Sequence, residues 1–173
     1  MIDRTQALDH SLTTLPDPAA ALARLQDPAL DPLFLRPART GVESAWYGHV
    51  PFAQWLVAAT RPRLLVELGT HNGVSYAAFC GAVVQAGLDT RCYAVDTWRG
   101  DDHAGQYGDE IYLDLCAFHD PLYGAFSTLL RCTFQEALPH FADGSIDLLH
   151  IDGLHTYEAV REDFLSWQPK LSR

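Results

Sequence analysis

Basic residues are scarce in this 173-residue chain, which has 12 lysines and arginines against 22 acidic residues and a formal net charge of -10. A phosphate backbone or an anionic membrane attracts the opposite charge, so we predict no nucleic-acid partner and no membrane partner. No apolar run approaches the roughly 18 residues that a membrane span needs. The N-terminus, Met1 to Arg4, lacks the basic and apolar stretches of a signal peptide. These absences together predict a cytoplasmic protein.

Cysteine is also sparse. The four cysteines are widely spaced and form no C-x-x-C pair, so buried free thiols in a reducing cytoplasm are the simplest interpretation. Apolar residues make up 48% of the chain, which rules out wholesale disorder. The length favours one folded domain with a real core.

Prolines punctuate residues 1–40, and three Asp-Pro steps between Asp17 and Pro32 favour turns or helix starts. Short helical pieces such as Ala19–Leu25 are plausible there. We predict an N-terminal arm over residues 1–42 rather than a second domain, followed by one folded domain over residues 43–173.

From residue 64 onward, short apolar runs alternate with helical patterns. Four strands are predicted, at Leu64–Leu68, Arg91–Asp96, Leu129–Phe134 and Ile146–Asp152. Helices are predicted over Gly73–Ala86, around Ile111–Phe118, over Glu136–Phe141, and along a last stripe of Tyr157, Val160, Phe164 and Trp167. This alternation predicts an α/β fold with a doubly wound, mainly parallel sheet.

The sharpest local feature is the segment Val66–Ser75, which runs from a buried strand through a glycine turn into a helix. Its glycines are Gly69 and Gly73, so it lacks the G-x-G-x-x-G spacing of a nicotinamide fingerprint. An acid, Glu67, precedes the glycines, and a second acid, Asp96, ends the next strand, where its carboxylate can accept ribose hydroxyls. The pattern favours an adenosyl ligand without a pyrophosphate, and a nicotinamide-binding half-domain is the weaker alternative.

This E-x-G-x-x-x-G loop, with an acid on the second strand, resembles class I S-adenosylmethionine-dependent methyltransferases. The segments Val66–Ser75, Ala94–Asp101 and Ile146–Glu158 are similar to a bacterial family of small-molecule and sugar O-methyltransferases, some of which are labelled cephalosporin hydroxylases. The resemblance covers residues 45–173. It implies a Rossmann-like sheet whose strands lie in the order 3-2-1-4, and methyl transfer to a small hydroxylated acceptor such as a sugar.

The resemblance also implies where the cofactor S-adenosylmethionine binds. Its methionine part is expected at the glycine loop, its ribose at Asp96, and its adenine near the end of the third strand. Phe134 there could equally be a core residue. The predicted cofactor-binding residues are Glu67, Gly69, Thr70, Gly73, Ser75, Asp96, Thr97 and Phe134.

The predicted catalytic residues are Asp152 and His155, at the end of the fourth strand. Asp152 could bind Mg²⁺, which would lower the pKa of a substrate hydroxyl. Either Asp152 or His155 could otherwise act as general base, and Asp152 could also simply cap the next helix. His150 fits a satisfied core histidine better than half of an iron site, because such a site needs a further downstream histidine on a β-rich scaffold.

The class I sheet that this chain resembles has seven strands, in the order 3-2-1-4-5-7-6, whereas only four are predicted here. The sequence therefore predicts a C-terminally truncated domain with the apolar edge of strand four open to solvent. A second copy or a partner domain is expected to cover that edge. The alternative function is an adenosyl-binding module, or a fragment, that is not catalytic alone.

Overall fold

The structure, a computed structural model, describes residue 23, residues 26–101 and residues 105–173. Most of the predicted N-terminal arm, including nearly all of the suggested helix Ala19–Leu25, lies outside the described residues. No helix among the described residues is long and apolar enough to cross a membrane.

Six strands form within the described residues. They are β1 (Leu64–Leu68), β2 (Arg91–Asp96), β3 (Gly100–Asp101), β4 (Gly105–Gln106), β5 (Ser127–Arg131) and β6 (Leu148–Ile151). Four of them build one parallel sheet in the order β5-β2-β1-β6. This arrangement confirms the predicted α/β class and the predicted 3-2-1-4 order of the four main strands. Strands β3 and β4 form a separate antiparallel ribbon.

Five α-helices connect or flank these strands in the described part of the chain. They are α1 (Val50–Thr60), α2 (Val74–Gln85), α3 (Asp109–Tyr123), α4 (Phe134–Ala137) and α5 (Tyr157–Trp167). Short 3-10 turns lie at Pro28–Phe34, Ala45–His49, Leu138–His140 and Gln168–Lys170. The predicted helices over Gly73–Ala86 and after residue 156 are confirmed, and the last one ends just before Pro169.

The core lies on both faces of the sheet, because successive side chains of a strand point to opposite faces. On one face, Leu65 packs with residues of α1 and α2 such as Val57 and Phe79. On the other face, Val66 packs with Phe141 and Trp167. A parallel sheet covered on both faces accounts for the nearly unbroken apolar run of β1.

The predicted third strand, Leu129–Phe134, is misplaced. The observed β5 ends at Arg131, and Phe134 begins helix α4. The Thr133 side chain accepts the Glu136 N–H while the Glu136 carboxylate accepts the Thr133 N–H, which is a capping box. This reciprocal cap fixes a helix start where the apolar pattern alone favours continued strand. The fourth strand is likewise shorter than predicted, at Leu148–Ile151.

Residues 26–42 pack onto the rest of the molecule. Arg39 is 5% exposed and its guanidinium donates to the Asn72 carbonyl oxygen and to Asp114 Oδ2, the latter at 2.5 Å. The guanidinium also lies over the Phe118 ring, 4.9 Å from its centroid. This part of the N-terminal segment is therefore anchored to the start of α2 and to α3, while the domain boundary at residue 42 stays a prediction.

One side of the sheet is open among the described residues. Strand β6 pairs with β1, and beyond it only Ile146 forms a parallel bridge, to Leu171. The neighbouring helix α5 buries Trp167 but leaves much of its apolar stripe exposed: Tyr157 is 76% exposed and Phe164 is 47% exposed. The predicted stripe thus forms, with only its C-terminal end in the core.

Candidate functional site

The glycine loop follows β1 and passes against the end of β6. Gly69 has a φ of +84°, and a Cβ atom there would lie 2.1 Å from the carbonyl oxygen of Asp152. Gly73, with a φ of +76°, would direct a Cβ atom to 2.5 Å from a methyl group of Leu115. Both positions therefore favour glycine for its conformation, and Gly69 requires it for space as well, because its neighbour is backbone.

Asp96, directly after the buried part of β2, holds this loop in place. Its Oδ2 accepts the backbone N–H groups of Thr70 and His71, each at 2.8 Å, and its Oδ1 accepts the N–H of Trp98 at 2.8 Å. The Trp98 indole N–H in turn donates to the His71 carbonyl oxygen at 2.9 Å. Asp96 is thus both a loop-stabilising residue and a wall of the cleft described below.

Thr70 carries a polar group without a partner. The residue is 4% exposed, and its hydroxyl makes no hydrogen bond within the described part of the chain. Buried hydroxyl groups are normally hydrogen-bonded, because an unmade bond costs about 1–3 kcal/mol. Thr70 also lines the cleft beside the N-terminus of α2, so its hydroxyl is available to a bound ligand.

A cleft of about 790 Å³ lies at the carboxyl ends of β2, β1 and β6. Its volume is in the range of small-molecule sites, and its place is where open α/β sheets bind ligands. The predicted cofactor-binding residues that line it are Gly69, Thr70, Gly73, Ser75, Asp96, Thr97 and Phe134. Both predicted catalytic residues, Asp152 and His155, line it as well.

Glu67 is the predicted site residue that the structure does not place in the cleft wall. It is fully buried, and its Oε1 lies 3.0 Å from Nδ1 of His150 on the adjacent strand. Burial lowers the pKa of His150, but the hydrogen bond and charge of Glu67 and the charge of Asp152 outweigh it, so the pKa is raised. The two side chains form a partly buried hydrogen-bonded pair, and direct contact of Glu67 with a cofactor stays a prediction.

His155 and Asp152 form a second pair, at the mouth of the cleft. His155 Nε2 lies 2.8 Å from Asp152 Oδ1, and the two side chains are 66% and 27% exposed. An imidazole that donates from Nε2 keeps Nδ1 as a proton acceptor. This arrangement can remove a proton from a substrate hydroxyl. Among the described residues, no three His, Cys, Asp or Glu side chains are grouped as a metal site.

Two further residues lie at the cleft or against its glycine loop, although no sequence motif marks them as functional. Trp46 lines the cleft and meets the His150 ring edge-on at 4.9 Å. Arg39 supports the glycine loop across 33 positions of sequence. No local pattern marks Arg39, whereas the run of aromatic residues from Trp46 to Trp55 gives a signal that does not separate core from cleft.

Comparison with known proteins matches residues 66–173 to a family model described as a methyltransferase domain. The chain is also 53% identical over 154 residues to "Uncharacterized protein y4gI" of Sinorhizobium fredii, a match that spans 89% of this chain and 16% of that protein.

Solved structures share the fold at low sequence identity. Cofactor-bound Rv0187 from MTB has a TM-score of 0.55 and 21% identity, over 93% of this chain and 64% of that one. The O-methyltransferase TomG from Streptomyces achromogenes, in complex with SAM, has a TM-score of 0.54 and 17% identity, over 94% and 64%. The chain thus spans slightly less than two thirds of these two structures. With the family model matching well over half of its residues, this chain belongs to the methyltransferase domain family, with the class I fold.

Proposed function

We propose that the chain binds S-adenosylmethionine in the cleft and transfers its methyl group to a hydroxyl of a small acceptor such as a sugar. One observation carries the proposal: a single cleft joins the glycine loop and Asp96 to the Asp152–His155 pair. A methyl donor and an acceptor hydroxyl must meet in line, so both sets of residues have to face one space.

The residues present fit the cofactor. The unpartnered Thr70 hydroxyl lines the cleft beside the N-terminus of α2, where an anionic group is favoured. Asp96 already accepts three backbone N–H groups, and a carboxylate offers about four acceptor positions. Asp96 therefore keeps capacity for one ribose hydroxyl.

The reaction requires a proton acceptor, and His155 supplies it. S-adenosylmethionine, when bound, provides a methyl group on a positively charged sulfur. Nδ1 of His155 takes the proton of the acceptor hydroxyl as the new oxygen–carbon bond forms and the carbon–sulfur bond breaks. Asp152 orients the ring and stabilises the imidazolium that results. Mg²⁺ held by Asp152 would be an alternative way to deprotonate the acceptor, since it would lower the pKa of the hydroxyl directly.

Calorimetry with S-adenosylhomocysteine, the demethylated product, tests the cofactor site. We expect binding by the wild-type chain, and affinity weakened about three- to ten-fold by Thr70→Val, because one hydrogen bond contributes about 0.5–1.5 kcal/mol. Thermal stability should hardly change, since the hydroxyl has no described partner. The control is Thr128→Val, on the exposed face of β5. Absence of any binding heat in folded wild-type protein would refute the proposal.

Turnover separates an enzyme from a binding module. We expect His155→Gln to lower kcat about 10²–10⁴-fold with unchanged affinity for S-adenosylhomocysteine, as for loss of a general base. If the wild-type chain binds the cofactor but transfers no methyl group to any hydroxylated acceptor, the binding-module alternative is correct. If turnover instead stops on chelation and returns with Mg²⁺, the metal route replaces the base.

A further inference from the structure

The cleft has a second part that the cofactor residues do not account for. Its lining includes Glu43, Ser44 and Trp46, from the segment before α1, together with Leu154 and His155. We propose that Trp46 and Glu43 form the acceptor subsite, an inference that rests on the proposed function. This subsite selects an uncharged or cationic hydroxylated ring over a phosphorylated one.

Contacts with neighbouring residues fix the position of Trp46 in the cleft lining. Its ring meets His150 edge-on at 4.9 Å and Phe79 at 5.9 Å, and its backbone N–H donates to the Ser44 hydroxyl at 3.0 Å. His150 is two residues from Asp152, and the negative charge of Asp152 contributes to raising the pKa of His150. The indole lines the same cleft as Asp152 and His155, the residues that would deprotonate the acceptor. An aromatic wall with a few polar groups is typical of small-molecule subsites.

Glu43 is fixed by its backbone and free at its side chain. Its carbonyl oxygen accepts the Asn72 amide at 2.9 Å, which ties it to the glycine loop. Its carboxylate makes no hydrogen bond or ion pair with the described residues, and it is exposed at the cleft. A carboxylate in this state accepts hydroxyl or ammonium donors from a ligand.

The charge of the cleft sets the selectivity. Its described lining holds three carboxylates, Glu43, Asp96 and Asp152, and neither lysine nor arginine. Arg39 touches the Asn72 carbonyl but is buried and paired with Asp114, so it offers no charge to a ligand. A phosphate group would meet three carboxylates and neither lysine nor arginine, which penalises its binding. Hydroxyl and ammonium groups meet acceptors instead.

The experiment compares three probes: methyl glucoside, glucosamine and glucose 6-phosphate. Each is titrated into protein saturated with S-adenosylhomocysteine, and the four tryptophan indole N–H signals are followed by heteronuclear NMR. Trp46→Phe assigns its signal. We expect methyl glucoside and glucosamine to shift the Trp46 signal, and glucose 6-phosphate to bind at least about ten-fold more weakly.

Substitutions that change the charge at position 43 test the selectivity without disturbing the fold. Glu43 is exposed, so Glu43→Lys should fold normally, and we expect it to gain glucose 6-phosphate binding and to lose the preference for glucosamine. Glu43→Gln should lose only the preference for glucosamine. Stronger wild-type binding of glucose 6-phosphate than of methyl glucoside, or no Trp46 shift with any probe at its solubility limit, overturns the inference. Binding of S-adenosylhomocysteine in the same samples reports on the proposed function separately.

Discussion

Gly69 and Asp152 touch across the tips of two neighbouring strands, since a Cβ atom on Gly69 would lie 2.1 Å from the carbonyl oxygen of Asp152. Backbone hydrogen bonds join the same tips: Asp152 N–H donates to the Leu68 carbonyl at 2.7 Å, and Gly69 N–H donates to the Val95 carbonyl at 2.9 Å. The glycine turn and the proposed catalytic carboxylate are thereby positioned by one hydrogen-bonded unit.

Replacing Gly69 tests this unit. We expect Gly69→Ala to lower the free energy of unfolding by more than the roughly 1–3 kcal/mol that a left-handed backbone costs a residue with a β-carbon, because the new methyl group also collides with backbone. Gly144→Ala is the matched control: its φ is +67°, but its Cβ would meet nothing within 4 Å. Urea unfolding of both variants measures the difference. Equal losses would mean that strain alone, and not contact with Asp152, requires glycine at position 69.

The Glu67–His150 pair predicts a pH dependence of stability. The pKa of His150 is raised in the folded state above its ordinary value of 6.5, so the charged imidazole stabilises the fold fully below that value. This contribution is lost as the pH rises from 6.5 through the folded-state pKa. We expect the Tm to fall over that interval in the wild type, and to fall less in His150→Gln.

The control for this measurement is His140→Gln, which removes an exposed histidine that has no described partner. It should reproduce the wild-type pH profile. A His150→Gln profile parallel to that of the wild type would show that the pair does not carry the pH dependence, and NMR titration of the His150 ring would then locate its pKa directly.

Most of the fold is predictable from sequence because its signals are local. The apolar run of β1 and the glycine-bounded α2 are read from a few adjacent residues. The error at β5 has the same origin: alternating apolar residues up to Phe134 favour strand, while the Thr133–Glu136 pair is a competing helix-start signal of the same length. Sequence alone gives no weight to one signal over the other, whereas the hydrogen bonds of the cap decide it.

The site is less predictable because it depends on register. Glu67 and His150 are 83 positions apart, and they pair because β1 and β6 align them side by side. The motif places Glu67 beside the glycine loop but does not say which face of β1 carries its side chain. Trp46 lines the cleft through contacts with His150 and Phe79, which lie far from it in sequence. Such contacts arise from tertiary packing, which no single segment encodes.

Arg39 is expected to support the cofactor loop from outside the family motif. Arg39→Lys should lower the free energy of unfolding by about 1–3 kcal/mol, since lysine cannot supply the guanidinium's donors to Asn72 and Asp114 together. It should also weaken S-adenosylhomocysteine binding, because the Asn72 carbonyl belongs to the loop. The control is Arg36→Lys, at an exposed position. Unchanged affinity, measured by calorimetry on the folded variant, would limit Arg39 to a structural role.

The apolar face of α5 is expected to make this chain self-associate. Tyr157 is 76% exposed and Val160 is 44% exposed, beside the open edge of β6, and exposed apolar patches next to unpaired strand edges promote association. We expect concentration-dependent oligomers in sedimentation velocity, and their loss in Tyr157→Glu/Val160→Glu, whose new charges lie near the helix N-terminus, where the helix dipole favours them. The control, Leu113→Glu/Leu122→Glu, adds the same charges to exposed positions of α3 and should associate as the wild type does. A wild-type chain that stays monomeric at every concentration would show that this face needs no cover.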